Sequence, residues 1–398
     1  MKQNDFQGLN LSILGFGAMR LPLTGSDRNS PIDENAVNEL LRYAQENGVN
    51  YYDTAYLYHG GQSEPVVARI LKQFPRDSYY LATKFPGHYI SASYNPKEIF
   101  EEQLKKCDVD YFDFYLLHNV YENSINTYTD PHWGIIEYFL EQKKNGRIRH
   151  FGFSSHGQMD NLRQFLNQYG DVMELCQIQI NYLDWSLQDA KAKYELLTEM
   201  NIPVWAMEPV RGGTLVNLPD NLVRKLEALR PDESVASWGF RWLQTLPNVK
   251  MILSGMSDMA QTRDNVKTFS IDKPLSSDEI ELLYRVASEM RISIPCTSCR
   301  YCCEECPQKL DIPTLLGLYN EALVSSAVTI PMRLDAMTPD EHPAACTGCG
   351  SCSKICPQSI DIPLAMKEFT EALTKMPSWA EICRQSELAP QESKVATD

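Results

Sequence analysis

From about residue 10 to about 288 the chain alternates short apolar runs with longer stretches in which apolar positions recur every three or four residues. The short runs at 49–53, 79–83, 112–117, 148–153, 176–180, 203–206 and 250–254 read as strands, with 11–16 as an earlier first strand. The amphipathic stretches at 34–46, 65–74, 96–107, 134–145, 159–168 and 189–200 read as helices, as do 221–229, 234–246 and 258–266. Strand and helix thus alternate about eight times, which implies a parallel sheet covered by helices. Eight repeats suit a closed (β/α)8 TIM barrel of about 250 residues. An open doubly wound sheet is the alternative. Gly15-Phe16-Gly17 reads as a tight turn, because a dinucleotide fingerprint needs a third glycine and a following helix, and Leu21-Pro22-Leu23 stands there instead.

The pattern changes near residue 289. Cys296-x2-Cys299-x2-Cys302-x3-Cys306-Pro307 recurs 50 residues on as Cys346-x2-Cys349-x2-Cys352-x3-Cys356-Pro357. The repeat continues through Gln308, Asp311, Ile312 and Pro313 onto Gln358, Asp361, Ile362 and Pro363. Each copy then enters an apolar helical stretch, 314–323 and 364–373, behind a proline suited to a first helical turn. The expected organisation is a barrel over 1–288, a small α-helical domain over 289–380 and a polar tail over 381–398.

Composition narrows the class. Apolar residues make up 43% and charged residues 22%, ordinary globular usage. The formal net charge of −15 argues against nucleic acid and against an anionic membrane surface, both of which select clustered cations. No run approaches the roughly 18 apolar residues of a membrane helix. Twelve cysteines, eight of them in the two repeated groups, and an N-terminus without a signal-peptide core give the expectation of a reducing, cytoplasmic setting.

The cysteine repeat is an iron–sulfur signature. Three thiolates at three-residue spacing can line one loop cavity, and the cysteine before proline ligates the other cluster in two-cluster ferredoxins. One 4Fe–4S cluster is therefore expected on Cys296, Cys299, Cys302 and Cys356, and a second on Cys346, Cys349, Cys352 and Cys306. Zinc sites or plain structural thiols are the competing readings, although structural zinc usually takes two separated Cys-x2-Cys pairs. Cys303 adjoins Cys302, but its aligned position in the second copy is not a cysteine. Cys107, Cys176 and Cys383 read as isolated buried thiols. Residues 289–375 resemble the α-helical ferredoxin modules of multidomain redox enzymes.

Four polar residues fall at or just beyond strand ends in the first part: Asp53, Tyr58, Lys84 and His118. Taken singly, they read as a helix cap, loop packing, a solvated cation and a core histidine. In a barrel, the C-terminal strand ends meet at one mouth, where active sites are built. The segments Asp53-Thr54-Ala55-x2-Tyr58, Thr83-Lys84, Leu116-Leu117-His118 and Gly152-Phe153-Ser154 resemble the aldo-keto reductases over residues 10 to about 270. The resemblance implies a catalytic tetrad of Asp53, Tyr58, Lys84 and His118, and an NADP- or NAD-dependent reductase of small carbonyl compounds, or alcohol dehydrogenase.

Cofactor contacts implied by the resemblance are Gly17, Ala18 and Met19 in the first loop; Ser154, Ser155 and Gln177 at the carboxamide; Met207 at the nicotinamide ring; and Ser254, Gly255, Met256 and Asn265 at the adenosine. Gly255 and Gln261 stand where NADP-selective members carry lysine and arginine, with Arg263 displaced by two residues, so NADP and NAD both stay open. Trp133, Trp185, Tyr56 and Tyr121 are candidates for the substrate mouth, with ordinary packing as the alternative.

Tyr58 is the expected general acid. A Lys84 ammonium about 4 Å away is expected to lower its pKa by at most about 3 units. Hydride chemistry moves two electrons and a 4Fe–4S cluster one, and the chain carries no clear flavin motif to join them. A flavoprotein or other redox partner, a substrate served from both sides, and purely structural clusters all stay open. So does a barrel that is only a docking module for an electron-transfer protein.

Overall fold

The computed structural model describes residues 1–25, 30–87, 95–290, 294, 296, 299–324 and 328–384. Of the expected tail over 381–398, residues 385–398 lie outside them. The chain divides into two compact units between Leu283 and Tyr284, within the helix Ser277–Met290.

The first unit is a closed barrel of eight parallel strands: β1 Leu14–Gly17, β2 Tyr51–Asp53, β3 Tyr80–Phe85, β4 Phe112–Leu117, β5 Ile148–Ser155, β6 Cys176–Gln179, β7 Val204–Met207 and β8 Val249–Ser254. They pair in chain order, and β8 closes on β1. The open doubly wound alternative is therefore excluded. The helix Glu34–Glu46 shows why the sequence pattern was legible. Val37, Leu40, Leu41 and Ala44 form its buried stripe, and the Asp33 carboxylate caps it by accepting from the Ala36 N–H at 3.0 Å.

The stretch 11–16 is not one strand. Leu9–Ser12 pairs antiparallel with Gln3–Phe6, and only Leu14–Gly17 enters the barrel. Residues 11–16 are buried throughout, so the pattern does not mark the break between the two pieces. Phe6 and Leu11 of this hairpin join Tyr51, Ala82, Phe114, Leu116, Leu175, Trp205, Met251 and Leu253 in one core. The Phe6 ring lies 4.9 Å from Trp205 and 5.7 Å from Phe114. Inward positions are thus filled with apolar side chains up to one level, and above it, toward the C-terminal strand ends, they turn polar.

The second unit holds the repeat. Two short helices, Tyr301–Glu304 and Ser351–Ile355, carry Cys302 and Cys352, and two longer ones, Ile312–Val324 and Ile362–Leu373, follow the Cys-Pro turns. The longer helices start two residues earlier than the pattern suggested, so Pro313 and Pro363 lie within their first turns. Tyr319 stacks on Phe369 at 5.4 Å, within a core that includes Leu310, Leu316, Ile330, Ile360 and Met366. A further helix, Thr329–Asp335, is tied to the first by a buried Arg333–Glu321 pair at 2.8 Å.

Candidate functional site

The four residues singled out at strand ends meet. Lys84 Nζ lies 2.5 Å from Asp53 Oδ1, donates to the Thr54 carbonyl at 2.8 Å, and stands 3.4 Å from the Tyr58 hydroxyl. The Tyr58 and His118 rings meet edge to face at 5.8 Å. Asp53 and Lys84 face inward on neighbouring strands, β2 and β3, while His118 follows β4 directly and donates its N–H to the Phe85 carbonyl at 2.9 Å. Tyr58 comes from the loop after β2, where His59, Gly60 and Gly61 are all left-handed, with φ of 51°, 60° and 83°. Two of these three are glycines, which take that conformation freely. His59 pins the loop by accepting from the Leu21 N–H at 3.1 Å.

Lys84 is fully buried, and Asp53 is 3% exposed. Burial disfavours the Lys84 charge more than any other influence, yet Asp53 and then Tyr58 hold its pKa above the ordinary value. Burial pushes the Asp53 carboxyl up, and Lys84 pulls it back. Tyr58 departs from expectation. Burial raises its pKa, Asp53 adds to the rise, and Lys84 opposes both, but the balance stays above 10. The dry setting, with Asp53 beyond the lysine, outweighs the ammonium.

Around the tetrad the inward positions run Gly17, Ser154, Gln177 and Met207. Ser154 accepts from the Asn119 N–H at 2.8 Å, and Gln177 is its register partner on β6. The Gln177 amide nitrogen points at the Met207 sulfur at 3.6 Å, and its buried carbonyl oxygen has no hydrogen-bond partner among the described residues. A Cβ on Gly17 would come 3.4 Å from the Ser254 carbonyl, so the wall there is backbone. A carboxamide fits this lining: its N–H2 suits the open Gln177 oxygen, and its ring suits the thioether. Ala18 is buried and Met19 exposed in the loop after β1.

Other expected contacts are placed differently. Ser155 faces outward, donating to the Val120 carbonyl at 2.7 Å and accepting from the Gly157 N–H at 3.0 Å. Strand alternation turns the second serine of the pair away from the first. Ser254 and Asn265 bond to each other at 2.9 Å, and Met256 is buried. Arg263 lies over the Tyr43 ring at 5.8 Å. Gln261 is held by the Ser257 N–H and the Asp258 carboxylate. The space over Gly255 is occupied by the Arg20 stem, whose guanidinium reaches the Gly212 carbonyl at 2.8 Å. Tyr56 bonds Glu102 at 3.0 Å, and Trp185 packs on Tyr194 and Trp242. Tyr121 is buried and Trp133 half-buried against His132.

Two polar groups escaped the sequence reading. Glu64, fully buried, accepts from Thr83 at 2.6 Å and Gln103 at 2.7 Å, while Gln103 also donates to the Lys84 carbonyl at 3.1 Å. Asp184 accepts from Gln179 and Asn181, with Arg211 Nε 3.6 Å away. An acid inside the buried stripe of the helix Ser63–Leu71 was the available signal for the first; nothing local marked the second.

In the second unit, one cavity is lined by Cys346, Cys349, Cys352 and Cys306. Another is lined by Cys296, Cys299, Cys302 and Cys356. Each thus gathers three cysteines of one copy and the fourth of the other. Among the described residues, no three His, Cys, Asp or Glu side chains converge closely enough to hold a single ion. The sharing between copies is the ligand pattern of two-cluster ferredoxins, whereas structural zinc usually takes two separated Cys-x2-Cys pairs.

Fold and sites together define a (β/α)8-barrel oxidoreductase with an appended iron–sulfur module. Residues 13–287 match the aldo/keto reductase family, and residues 295–360 match the 4Fe-4S dicluster domain. The chain belongs to the aldo/keto reductase family. It is 28% identical over 307 residues to the uncharacterized oxidoreductase YqkF of Bacillus subtilis, covering 69% of this chain and 92% of that protein. It is 23% identical over 325 residues to the NADH-specific methylglyoxal reductase of Escherichia coli, covering 71% and 96%. Among solved structures, the holo form of aldo-keto reductase AKR11C1 from Bacillus halodurans is similar, with TM-score 0.58 and 26% identity over 72% of this chain and 96% of that one. No helix among the described residues is long and apolar enough to cross a membrane.

Proposed function

We propose that the protein reduces small aldehydes or ketones, or oxidises the corresponding alcohols, with a bound nicotinamide dinucleotide, and that its second unit carries two redox-active 4Fe–4S clusters. The observation that carries this is the Asp53–Lys84–Tyr58–His118 arrangement beside the open Gln177 oxygen. When bound, the nicotinamide supplies or accepts a hydride at the carbonyl carbon. Gln177 and Ser154 would hold its carboxamide, with Met207 against the ring.

His118 orients the carbonyl oxygen toward Tyr58. Tyr58 gives that oxygen its hydroxyl proton as negative charge builds there. The phenolate left behind faces the Lys84 ammonium at 3.4 Å, an attraction of about 5 kcal/mol at an effective dielectric of about 20. Asp53 keeps that ammonium charged and fixed, and the strands on either side exclude water from the pair. A phenol with a raised pKa remains protonated at neutral pH and is ready to act as the acid. In the second unit, Cys299 and Cys349 are exposed, which gives each cluster one edge open to exchange electrons with a flavoprotein or similar carrier. A wholly structural cluster has no need of such an edge.

The direct test is Tyr58→Phe, assayed for carbonyl reduction with NADH and NADPH. Turnover should fall by about 10²–10⁴ while dinucleotide binding persists. Near wild-type turnover would overturn the mechanism, and failure of the wild type to bind either dinucleotide would favour a docking module. For the clusters, anaerobic exposure to a reduced carrier should bleach their visible absorbance. Unchanged absorbance would leave them structural.

A further inference from the structure

The two cysteine cavities are built by the same residues in duplicate, so their differences stand out. Gln308 pairs with Gln358, Leu310 with Ile360, and Pro363 with Pro313 across the 50-residue offset. The sharpest difference follows the second cysteine of each motif. Arg300 lines the cavity of Cys296, Cys299, Cys302 and Cys356, and Gly350 lines the other at the matching position. Both residues have left-handed backbones, φ 66° and 74°. Glycine takes that conformation without strain, whereas arginine does not. The first copy therefore keeps a cation where backbone conformation alone favours glycine.

The guanidinium is anchored by Asp311, which lines neither cavity, at 3.2 Å. Arg300 is the one charged residue among the described residues that lines either cavity. Glu304, Glu305 and Lys354 sit on the same short segments and are exposed, as Arg300 is, but they line neither cavity.

We propose that Arg300 makes the two clusters electronically unequal, so that the cluster on Cys296, Cys299, Cys302 and Cys356 has the higher reduction potential and fills first. This rests on the two-cluster reading above. Each cluster gains one negative charge when it takes one electron, and a neighbouring cation stabilises the more negative state. Arginine suits the role because it stays protonated at every working pH. The arrangement gives the unit a direction: an electron arriving at the Gly350 cluster runs downhill to the Arg300 cluster.

The test is a potentiometric titration of the anaerobically purified full-length protein, with mediators supplying the electrons, followed by electron paramagnetic resonance and accompanied by iron and sulfide analysis. The wild type should show two one-electron waves. Arg300→Gly should lower the upper wave by about threefold to tenfold in its equilibrium constant, up to about 59 mV, and leave the lower wave in place. Arg300→Lys should hold the upper wave near its wild-type position, and Gly350→Arg should raise the lower one. Two clusters with indistinguishable waves, or waves that Arg300→Gly does not shift or shifts equally, would overturn the inference and leave the two-cluster reading intact. Iron and sulfide for fewer than two clusters in the wild type would overturn that reading and the inference with it.

Discussion

Replacing Asp53 with asparagine removes one charge from a pair that water scarcely reaches. Lys84 is 0% and Asp53 3% exposed, with 2.5 Å between Nζ and Oδ1. At that distance and an effective dielectric of about 20, the attraction is about 7 kcal/mol. The variant does not lose all of it, because Lys84 can release its proton. From an unfolded pKa of about 10.4, neutralising a lysine at pH 7 costs about 5 kcal/mol, which bounds the damage. Breaking a buried pair by removing one partner typically costs about 3–5 kcal/mol, the same range.

The pH dependence separates this mechanism from simple misfit. In the native protein the Lys84 pKa is raised, so its contribution is whole below the unfolded value and is lost only as pH climbs through the folded one. In the Asp53→Asn variant the folded pKa drops below the unfolded value. The unfolded chain then binds more protons between the two, and stability rises with pH by up to about 1.4 kcal/mol per unit. Urea unfolding of the barrel, followed by tryptophan fluorescence at pH 7 and pH 9, should show a loss of about 3–5 kcal/mol at the lower pH that shrinks by at least about 1 kcal/mol at the higher. A loss under about 1 kcal/mol that ignores pH would refute the buried-pair argument.

Because the Tyr58 pKa sits above 10, kcat/KM for carbonyl reduction should be level from about pH 6 to 9 and fall only beyond about 10, and a decline centred near pH 7–8 in initial-rate assays would remove Tyr58 as the acid. Phe6→Ala opens a hole beneath the barrel core and should cost about 3–5 kcal/mol of unfolding free energy, measured as a lower urea midpoint. Burial alone would raise the Glu174 carboxyl, but His150, Lys143 and the Phe151 N–H bring it down to about 2, so its stabilisation is present above the unfolded pKa and fades as pH falls toward 2. Glu174→Gln should therefore lose about 1–3 kcal/mol at pH 7, and acid titration should show its difference from wild type closing between about pH 4.5 and 2.

The alternation of apolar runs and amphipathic stretches was enough to give a parallel sheet covered by helices, because a parallel strand buried on both faces and a helix with one wet side leave different periods in the sequence; the pairing of β8 with β1 decided that the sheet closes. The cysteine spacing was equally direct, since thiolates three residues apart on a loop address one void. The tetrad was legible only through its family resemblance, because Asp53, Tyr58, Lys84 and His118 have bland readings one at a time. What the sequence could not carry was anything that depends on which side of the backbone a residue leaves from or what stands behind it. Ser155 turns away from its neighbour Ser154 and donates to the Val120 carbonyl. Leu9–Ser12 left the barrel for a hairpin although residues 11–16 are buried throughout.

By itself, then, the sequence determined the strand–helix order, the placing of polar groups at strand ends and the duplicated cysteine frame, all of which are local or periodic properties. Only the tertiary structure decided that burial outweighs the Lys84 ammonium at Tyr58, that Glu64 and Gln103 brace the strand carrying Lys84, and that Arg300 lines one cysteine cavity where the other has Gly350. The reason is physical: proton affinity, desolvation and cluster electrostatics are set by distances between groups far apart in the chain, and no pattern of neighbours records those distances.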